Sequence, residues 1–143
     1  MIILDTNVIS ELMRAEPSAV VVVWLDAQPA ADIHLTAGTL AELLYGIARL
    51  PGGRRRAELA DQVEAMVTED FLHRVVAFDE TAAAHYADIV VRRERAGMPV
   101  SAFDAQIAAT CRSHDAVLVT RNIDDFVDTG IRIINPWTAD PAT

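Results

Sequence analysis

The opening stretch Met1-Ile2-Ile3-Leu4-Asp5-Thr6-Asn7 decides the fold of this chain of 143 residues. Residues 2–4 are an apolar run that ends abruptly in three polar residues. This pattern predicts a buried strand that runs straight into the start of a helix. We therefore expect Asp5 to stand at the carboxyl end of the first strand.

The rest of the chain repeats this alternation of short apolar runs and helical patterns. Further strands are predicted at 33–36, 75–78, 116–120 and 131–134. Apolar residues at helical spacing predict helices at 8–13, 20–27, 40–50, 54–67, 79–97 and 101–111. The alternation predicts an α/β fold with a central parallel-type sheet of about five strands flanked by helices. We expect a single domain over 1–137 and a short C-terminal tail over 138–143.

The composition favours a folded intracellular protein over most other classes. Hydrophobic residues make up 52% of the chain, which argues against a disordered or fibrous protein. No apolar run approaches the roughly 18 residues of a membrane helix, and no basic segment typical of a signal peptide opens the chain. Cys111 is the only cysteine, so no internal disulfide can form. We expect a cytoplasmic protein that has no membrane partner.

The charged residues narrow the possible functions further. A net charge of −9 argues against a protein that coats nucleic acid non-specifically, although clustered carboxylates can form a cation site. All 12 basic residues are arginine; arginine suits phosphate contacts, but biased codon usage is the simpler explanation. Without a lysine the chain lacks the residue that a P-loop nucleotidase needs, and its four scattered histidines have no zinc-site spacing.

Acidic residues recur where strands are predicted to end and helices to begin. Asp5 follows the first strand, Glu42 and Asp104 each lie in the first turn of a predicted helix, and Thr-Arg-Asn-Ile-Asp-Asp at 120–125 follows the fourth strand. Ligands of open parallel sheets bind beyond the carboxyl ends of the strands. If three carboxylates converge there, each pair at about 5 Å repels by ~3 kcal/mol unless a cation compensates. Oxygen ligands of this kind suit Mg²⁺ or Mn²⁺.

Each acid also has an ordinary structural explanation. Thr39-x-x-Glu42 and Ser101-x-x-Asp104 match the capping box, in which the acid bonds back to the helix N-cap. Asp5 is equally suited to cap the first helix. For any one acid the capping explanation is the better one, and only the three together favour a cation site.

Four segments resemble, in order, the motifs of PIN-domain proteins. The segments are 1–10, Thr39-Leu-Ala-Glu42-Leu-Leu-Tyr-Gly46, Phe103-Asp104-Ala-Gln-Ile-Ala-Ala109 and Leu118-Val-Thr120-Arg121-Asn122-x-x-Asp125-Phe126. Asn135-Pro136-Trp137 resembles a common ending of the family. The resemblance runs from residue 1 to residue 137, and within the family it is greatest to VapC/FitB-like toxins of type II toxin–antitoxin systems.

The resemblance implies a set of metal ligands and the residues that support them. Three acids would ligate a divalent metal, Mg²⁺ or alternatively Mn²⁺, directly or through water: Asp5, Glu42 and Asp104. Three polar residues would support the site: Thr6, Asn7 and Thr120.

The fourth position of the site is left open by the sequence. Some family members carry an acid in the place of Asn122, and here Asp125 could serve instead. At least one metal ion is therefore expected, and a second is undecided. Arg121 is the nearest candidate for a phosphate contact, with an ordinary surface charge as the alternative.

By the same resemblance the protein is expected to be a metal-dependent endoribonuclease. The metal would activate water for in-line attack on an RNA phosphodiester, and Asp125 would hold a second ion or orient the water. Similar toxins form homodimers and are inhibited by a small antitoxin that covers an apolar groove near the first helices. The toxin–antitoxin assembly binds operator DNA through the antitoxin. Residues 20–24 could line this groove or belong to the ordinary core.

Two alternatives stay open beside the toxin hypothesis. A housekeeping PIN nuclease that matures RNA would carry the same acids and have no antitoxin. A non-catalytic PIN-like binding module would fit the amide at Asn122, although the three intact acids argue against it. No residue of the sequence identifies the RNA.

Overall fold

A central parallel sheet organises the structure, a computed structural model that describes residues 1–140. The strand order is β3-β2-β1-β4-β5 and every neighbouring pair is parallel. The strands are β1 (Ile2–Leu4), β2 (Ile33–Thr36), β3 (Val75–Val76), β4 (Val117–Val119) and β5 (Arg132–Ile134). The predicted α/β class and parallel sheet are confirmed.

Seven α-helices within residues 1–140 cover the sheet. They are α1 (Thr6–Leu12), α2 (Ala19–Asp26), α3 (Ala37–Ala48), α4 (Arg54–Ala65), α5 (Glu80–Arg95), α6 (Ala102–Ser113) and α7 (Ile123–Phe126). None of these helices combines the length and apolarity needed to cross a lipid bilayer. The division into a domain over 1–137 and a tail over 138–143 stays a prediction, and residues 141–143 lie outside the described part.

The apolar strands pack on both faces, because successive side chains of a strand point to opposite sides of the sheet. Ile3 and Leu118 belong to a buried cluster with α5 and α6, whereas Leu4 and Val119 belong to a second cluster with α1, α2 and α3. All four side chains are fully buried, and each such burial contributes about 1.5–3 kcal/mol. This two-sided burial explains why these strands are continuous apolar runs.

The order of the strands creates a crevice between β1 and β4. From β1 the chain extends the sheet through β2 to β3, and it then returns to add β4 and β5 on the other side. Open α/β sheets bind ligands at such a reversal of strand order, outside the carboxyl ends of the strands. Asp5 lies there, and its backbone N–H donates to the carbonyl of Val119 over 2.9 Å.

Several local features differ from the sequence-based expectations. The third strand ends at Val76 rather than at residue 78, and α4 runs into a π-helical turn over Met66–Asp70. The short helix α7 was not predicted, because four residues leave no room for a helical repeat of apolar positions. It is nevertheless anchored, since its Phe126 is buried in the core.

Candidate functional site

Asp5 both caps α1 and faces the crevice. Its Oδ1 accepts from the backbone N–H of Thr6 over 2.8 Å. Its Oδ2 accepts from the Thr120 hydroxyl over 2.7 Å and from the side-chain amide of Asn7 over 3.1 Å. The capping explanation of Asp5 is therefore confirmed. It does not exclude another role, because the same bonds fix the carboxylate at the end of β1.

Glu42 does not belong to a capping box, and that expectation was wrong. The N-cap of α3 is Thr36, whose hydroxyl oxygen accepts from the N–H of Thr39 over 2.9 Å. The helix therefore begins three residues earlier than predicted, and Glu42 lies beyond its first turn. Its Oε2 accepts a short hydrogen bond from the hydroxyl of Thr6 on α1. That bond directs Glu42 towards the end of β1.

Asp104 follows the predicted cap of α6. Ser101 caps this helix by accepting from the N–H of Asp104 over 3.1 Å. The Asp104 side chain is half-buried. Burial raises the pKa of Asp104, and the nearby charges of Asp5 and Asp125 raise it further.

The acids expected from the sequence meet around one open cavity of about 610 Å³, which we call the acid cavity. The predicted site residues that line it are Asp5, Thr6, Asn7, Glu42, Asp104, Asn122 and Asp125. Thr120 lies behind Asp5 and is fully buried, so it supports the wall without lining the space. Arg121 lines an adjoining depression of about 310 Å³ that shares Asn122 and Asp125 with the acid cavity.

Three further residues of the acid cavity were missed by sequence reasoning: Ser10, Glu11 and Arg14. Glu11 is buried and accepts from the N–H of Ser18 over 2.8 Å. Arg14 also donates to it over 3.1 Å, and together these bonds lower the pKa of Glu11. For Glu11 the signal was present in the helical spacing, because Asn7 and Glu11 lie four residues apart on one face of α1. Arg14 lies beyond the end of that helix, and the spacing gave no signal for it.

The electrostatics of the acid cavity disfavour an uncompensated charge. Burial raises the pKa of Asp5, and the charge of Glu42 adds to that effect, against the opposing hydrogen bonds from Thr120, Thr6 and Asn7. Burial likewise raises the pKa of Asp104. Acids with raised pKa values bind protons more readily in the folded state. The metal-free fold therefore loses stability as the pH rises from the ordinary carboxyl range through these values.

The donor set fits a hard divalent cation that keeps part of its water shell. Within residues 1–140 no group of three or more His, Cys, Asp and Glu side chains is arranged as a complete metal-binding cluster. The donors around the acid cavity are carboxylate, amide and hydroxyl oxygens, the ligands that Mg²⁺ prefers. Mg²⁺ is commonly held by only one or two carboxylates, with water and phosphate completing the shell.

A buried arginine ties down the segment that carries Asp125. Arg93 on α5 is 5% exposed. Its guanidinium donates to the carbonyls of Met98 and Val127, each over 2.6 Å, and over 3.4 Å to that of Asp124. Arg93 thus links the approach to α6 with both ends of α7, the two elements that present Asp104 and Asp125.

The fold and the acid cavity define a member of the PIN-domain family. The chain matches the PIN domain over residues 2–131 and belongs to this family. Within it, the chain is similar to toxins. It is 42% identical to VapC ribonuclease Y4jK of Sinorhizobium fredii, over 96% of this chain and 98% of that protein. It is 39% identical to Toxin FitB of Neisseria gonorrhoeae, over 96% and 99% respectively.

A solved structure agrees with the sequence comparison. The structure described as FitAB bound to an IR36 DNA fragment superimposes on this chain with a TM-score of 0.91. It shares 38% sequence identity and covers 98% of both chains. The resemblance noted in the sequence to VapC/FitB-like toxins is confirmed.

Proposed function

We propose that the protein is a divalent-metal-dependent endoribonuclease and the toxin of a toxin–antitoxin pair. The observation that carries the proposal is the meeting of Asp5, Glu42, Asp104 and Asp125 around one cavity at the reversal of strand order. These four acids come from four separate segments of the chain. Membership of the PIN family and the similarity to a VapC ribonuclease support RNA hydrolysis as the reaction.

Asp5, Glu42 and Asp104 would hold Mg²⁺, or Mn²⁺ in its place. A bound ion of this kind supplies a nucleophilic water at neutral pH and compensates charge on the phosphodiester. The raised pKa values of Asp5 and Asp104 support the proposal: burial raises them most and neighbouring acids add to the effect, and a bound cation would stabilise the charged form of both groups. Whether a second ion binds depends on Asn122 and Asp125, and an amide is the weaker ligand.

The other residues of the site hold and orient these acids. Thr120 and Asn7 fix the Asp5 carboxylate, and Thr6 holds Glu42. Asp125, which is exposed at the rim, would accept a proton from the attacking water or orient it. Arg121 would contact the RNA phosphate beside the acid cavity.

The proposed partners are RNA, a small antitoxin and a second copy of the chain. An apolar cavity of about 720 Å³ lies beside α1 and α2 and is lined by Leu12, Met13 and Leu25 among others, a surface suited to an antitoxin helix. Residues 20–24 are not among its lining residues. The similar FitAB structure contains DNA, so we propose operator binding through the antitoxin. We place the protein in the cytoplasm, where its RNA substrates are.

The test is cleavage of total cellular RNA by the purified protein. We expect discrete fragments with Mg²⁺ or Mn²⁺, none with EDTA, and none from Asp104→Asn with either metal. Gel analysis with end mapping would identify the RNA and the cut position. Absence of metal-dependent cleavage by folded, antitoxin-free protein would favour the non-catalytic binding module. Cleavage without growth arrest on expression would favour the housekeeping nuclease.

Thr120→Val is expected to move the acidic limb of the pH–rate profile to higher pH. The Thr120 hydroxyl bond lowers the pKa of Asp5, so its removal raises that pKa further. Only ionised Asp5 can hold a cation, and cleavage is therefore lost at a higher pH than in the parent. The measurement is the rate of RNA cleavage across pH at one fixed Mg²⁺ concentration below saturation. Thr110→Val is the matched control, since Thr110 is a buried threonine bonded within α6. A uniform loss of rate with an unmoved limb would contradict the prediction.

A further inference from the structure

Trp137 lies against Arg121, which follows the end of β4 and lines the depression beside the acid cavity. The Cζ of Arg121 is 4.9 Å from the centre of the Trp137 ring, a cation–π arrangement. Arg121 follows β4 and Trp137 follows β5, and the backbone N–H of Thr120 donates to the carbonyl of Ile134 at the end of β5 over 2.9 Å. The backbone N–H of Trp137 donates to the side-chain oxygen of Asn135 over 3.0 Å. The ring is thus placed by the turn that follows β5.

Arg121 is fixed at its backbone as well as at its guanidinium. Its backbone N–H donates over 3.1 Å to the side-chain oxygen of Asn7, a residue that also bonds Asp5. Within residues 1–140 no ion pair involves Arg121. Its charge nevertheless reaches the acid cavity, because it contributes to lowering the pKa of Glu11 in the cavity wall. The guanidinium therefore has its donors available beside the proposed site of reaction.

We propose that Trp137 is a positioning residue that holds Arg121 for an RNA phosphate at the edge of the acid cavity. The inference rests on the proposed ribonuclease function. Stacking uses the flat face of a guanidinium and leaves the N–H donors in its plane for phosphate oxygens. An exposed arginine without such support samples many side-chain conformations, of which few place the charge beside the acids. Trp137 removes that freedom before RNA arrives.

A double-mutant cycle tests the inference. In the non-cleaving Asp104→Asn background with Mg²⁺, the affinity for a fluorescein-labelled mixed-sequence 20-nucleotide RNA is measured by anisotropy. We expect Arg121→Gln to weaken binding about tenfold and Trp137→Leu about threefold. The double variant should bind no more weakly than Arg121→Gln alone, because Trp137 acts only through Arg121. Trp137→Phe keeps a ring and should restore most of the affinity.

The outcomes separate positioning from other roles of Trp137. An equal loss from Trp137→Leu with and without Arg121 would mean that the ring touches RNA itself, and it would overturn the inference. Unchanged binding by folded Trp137→Leu would overturn it too. Should that variant unfold, Arg121→Lys gives a second test at an exposed position. A compact ammonium stacks poorly, so about a threefold loss is expected, and full affinity would overturn the inference.

Failure of the proposed function would look different. If the Asp104→Asn parent bound no RNA and the wild-type chain cleaved none with metal, the ribonuclease proposal would fall, and this inference with it. Loss of the Arg121–Trp137 coupling alone, in a chain that still cleaves RNA, would overturn only the inference.

Discussion

Asp5→Asn is expected to lower the rate of RNA cleavage at least about a thousandfold while the protein stays folded. The amide keeps the oxygen that accepts from the Thr6 N–H, so the cap of α1 survives. It removes the charge that would hold the cation, and it turns an NH₂ group towards the donors on Thr120 and Asn7. Because burial already disfavours the charged form of Asp5, we expect the free energy of unfolding to change by no more than about 1 kcal/mol.

The control for this prediction is Asp79→Asn. Asp79 is likewise the N-cap of its helix, α5, where it accepts from the N–H of Ala82 over 3.0 Å, and it does not line the acid cavity. Cleavage by this variant should stay within about twofold of wild type, because Asn caps a helix as well as Asp. The measurement is single-turnover cleavage of the mapped RNA, with thermal melting to confirm folding. Full metal-dependent activity in a folded Asp5→Asn protein would remove Asp5 from the site.

Arg93→Met is expected to lower the free energy of unfolding by about 3 kcal/mol. Methionine fills much of the volume but donates to none of the three carbonyls that Arg93 satisfies. Those carbonyls would lose a charged donor at part-buried positions, and an acceptor left without a partner away from water costs free energy. The measurement is urea unfolding followed by circular dichroism. Cleavage by the folded fraction should also fall, because α7, which carries Asp125, loses its hydrogen bonds to Arg93.

Arg92→Met is the neighbouring control. Arg92 is exposed and pairs with Asp128 over 2.7 Å at the surface, so its loss should cost no more than about 1 kcal/mol. If both changes lowered the free energy of unfolding equally, the buried hydrogen bonds of Arg93 would contribute no more than the surface ion pair of Arg92, contrary to the prediction. A stable Arg93→Met protein with unchanged cleavage would contradict it directly.

The predicted residues that line the acid cavity either follow strand ends or lie near the starts of helices. Asp5 and the segment from Thr120 to Asp125 follow strands whose apolar pattern is unambiguous, and parallel strands must bring such residues to one edge. The start of α3 was misplaced, because Thr36 and Thr39 are both good N-cap residues, and in the structure the cap is Thr36, which is also the last residue of β2.

The supporting residues could not be found from sequence alone. Arg93 resembles its exposed neighbours Arg92 and Arg95 in an arginine-rich helix end, and only packing against α7 distinguishes it. The contact between Trp137 and Arg121 depends on β5 lying beside β4, which no local pattern specifies. Such contacts belong to tertiary structure, whereas strand ends and caps are encoded within a few residues.

The strand order also sets when activity can arise as the chain is synthesised. The acids come from positions 5, 42, 104 and 125, and the partner of β1 on one side is β4, at Val117–Val119. A nascent chain that has not yet released residues 117–125 from the ribosome lacks both that strand and the last acid. With the proposed site, the chain would therefore gain cleavage activity only late in its own translation, and proteolytic removal of residues 117–125 would abolish that activity.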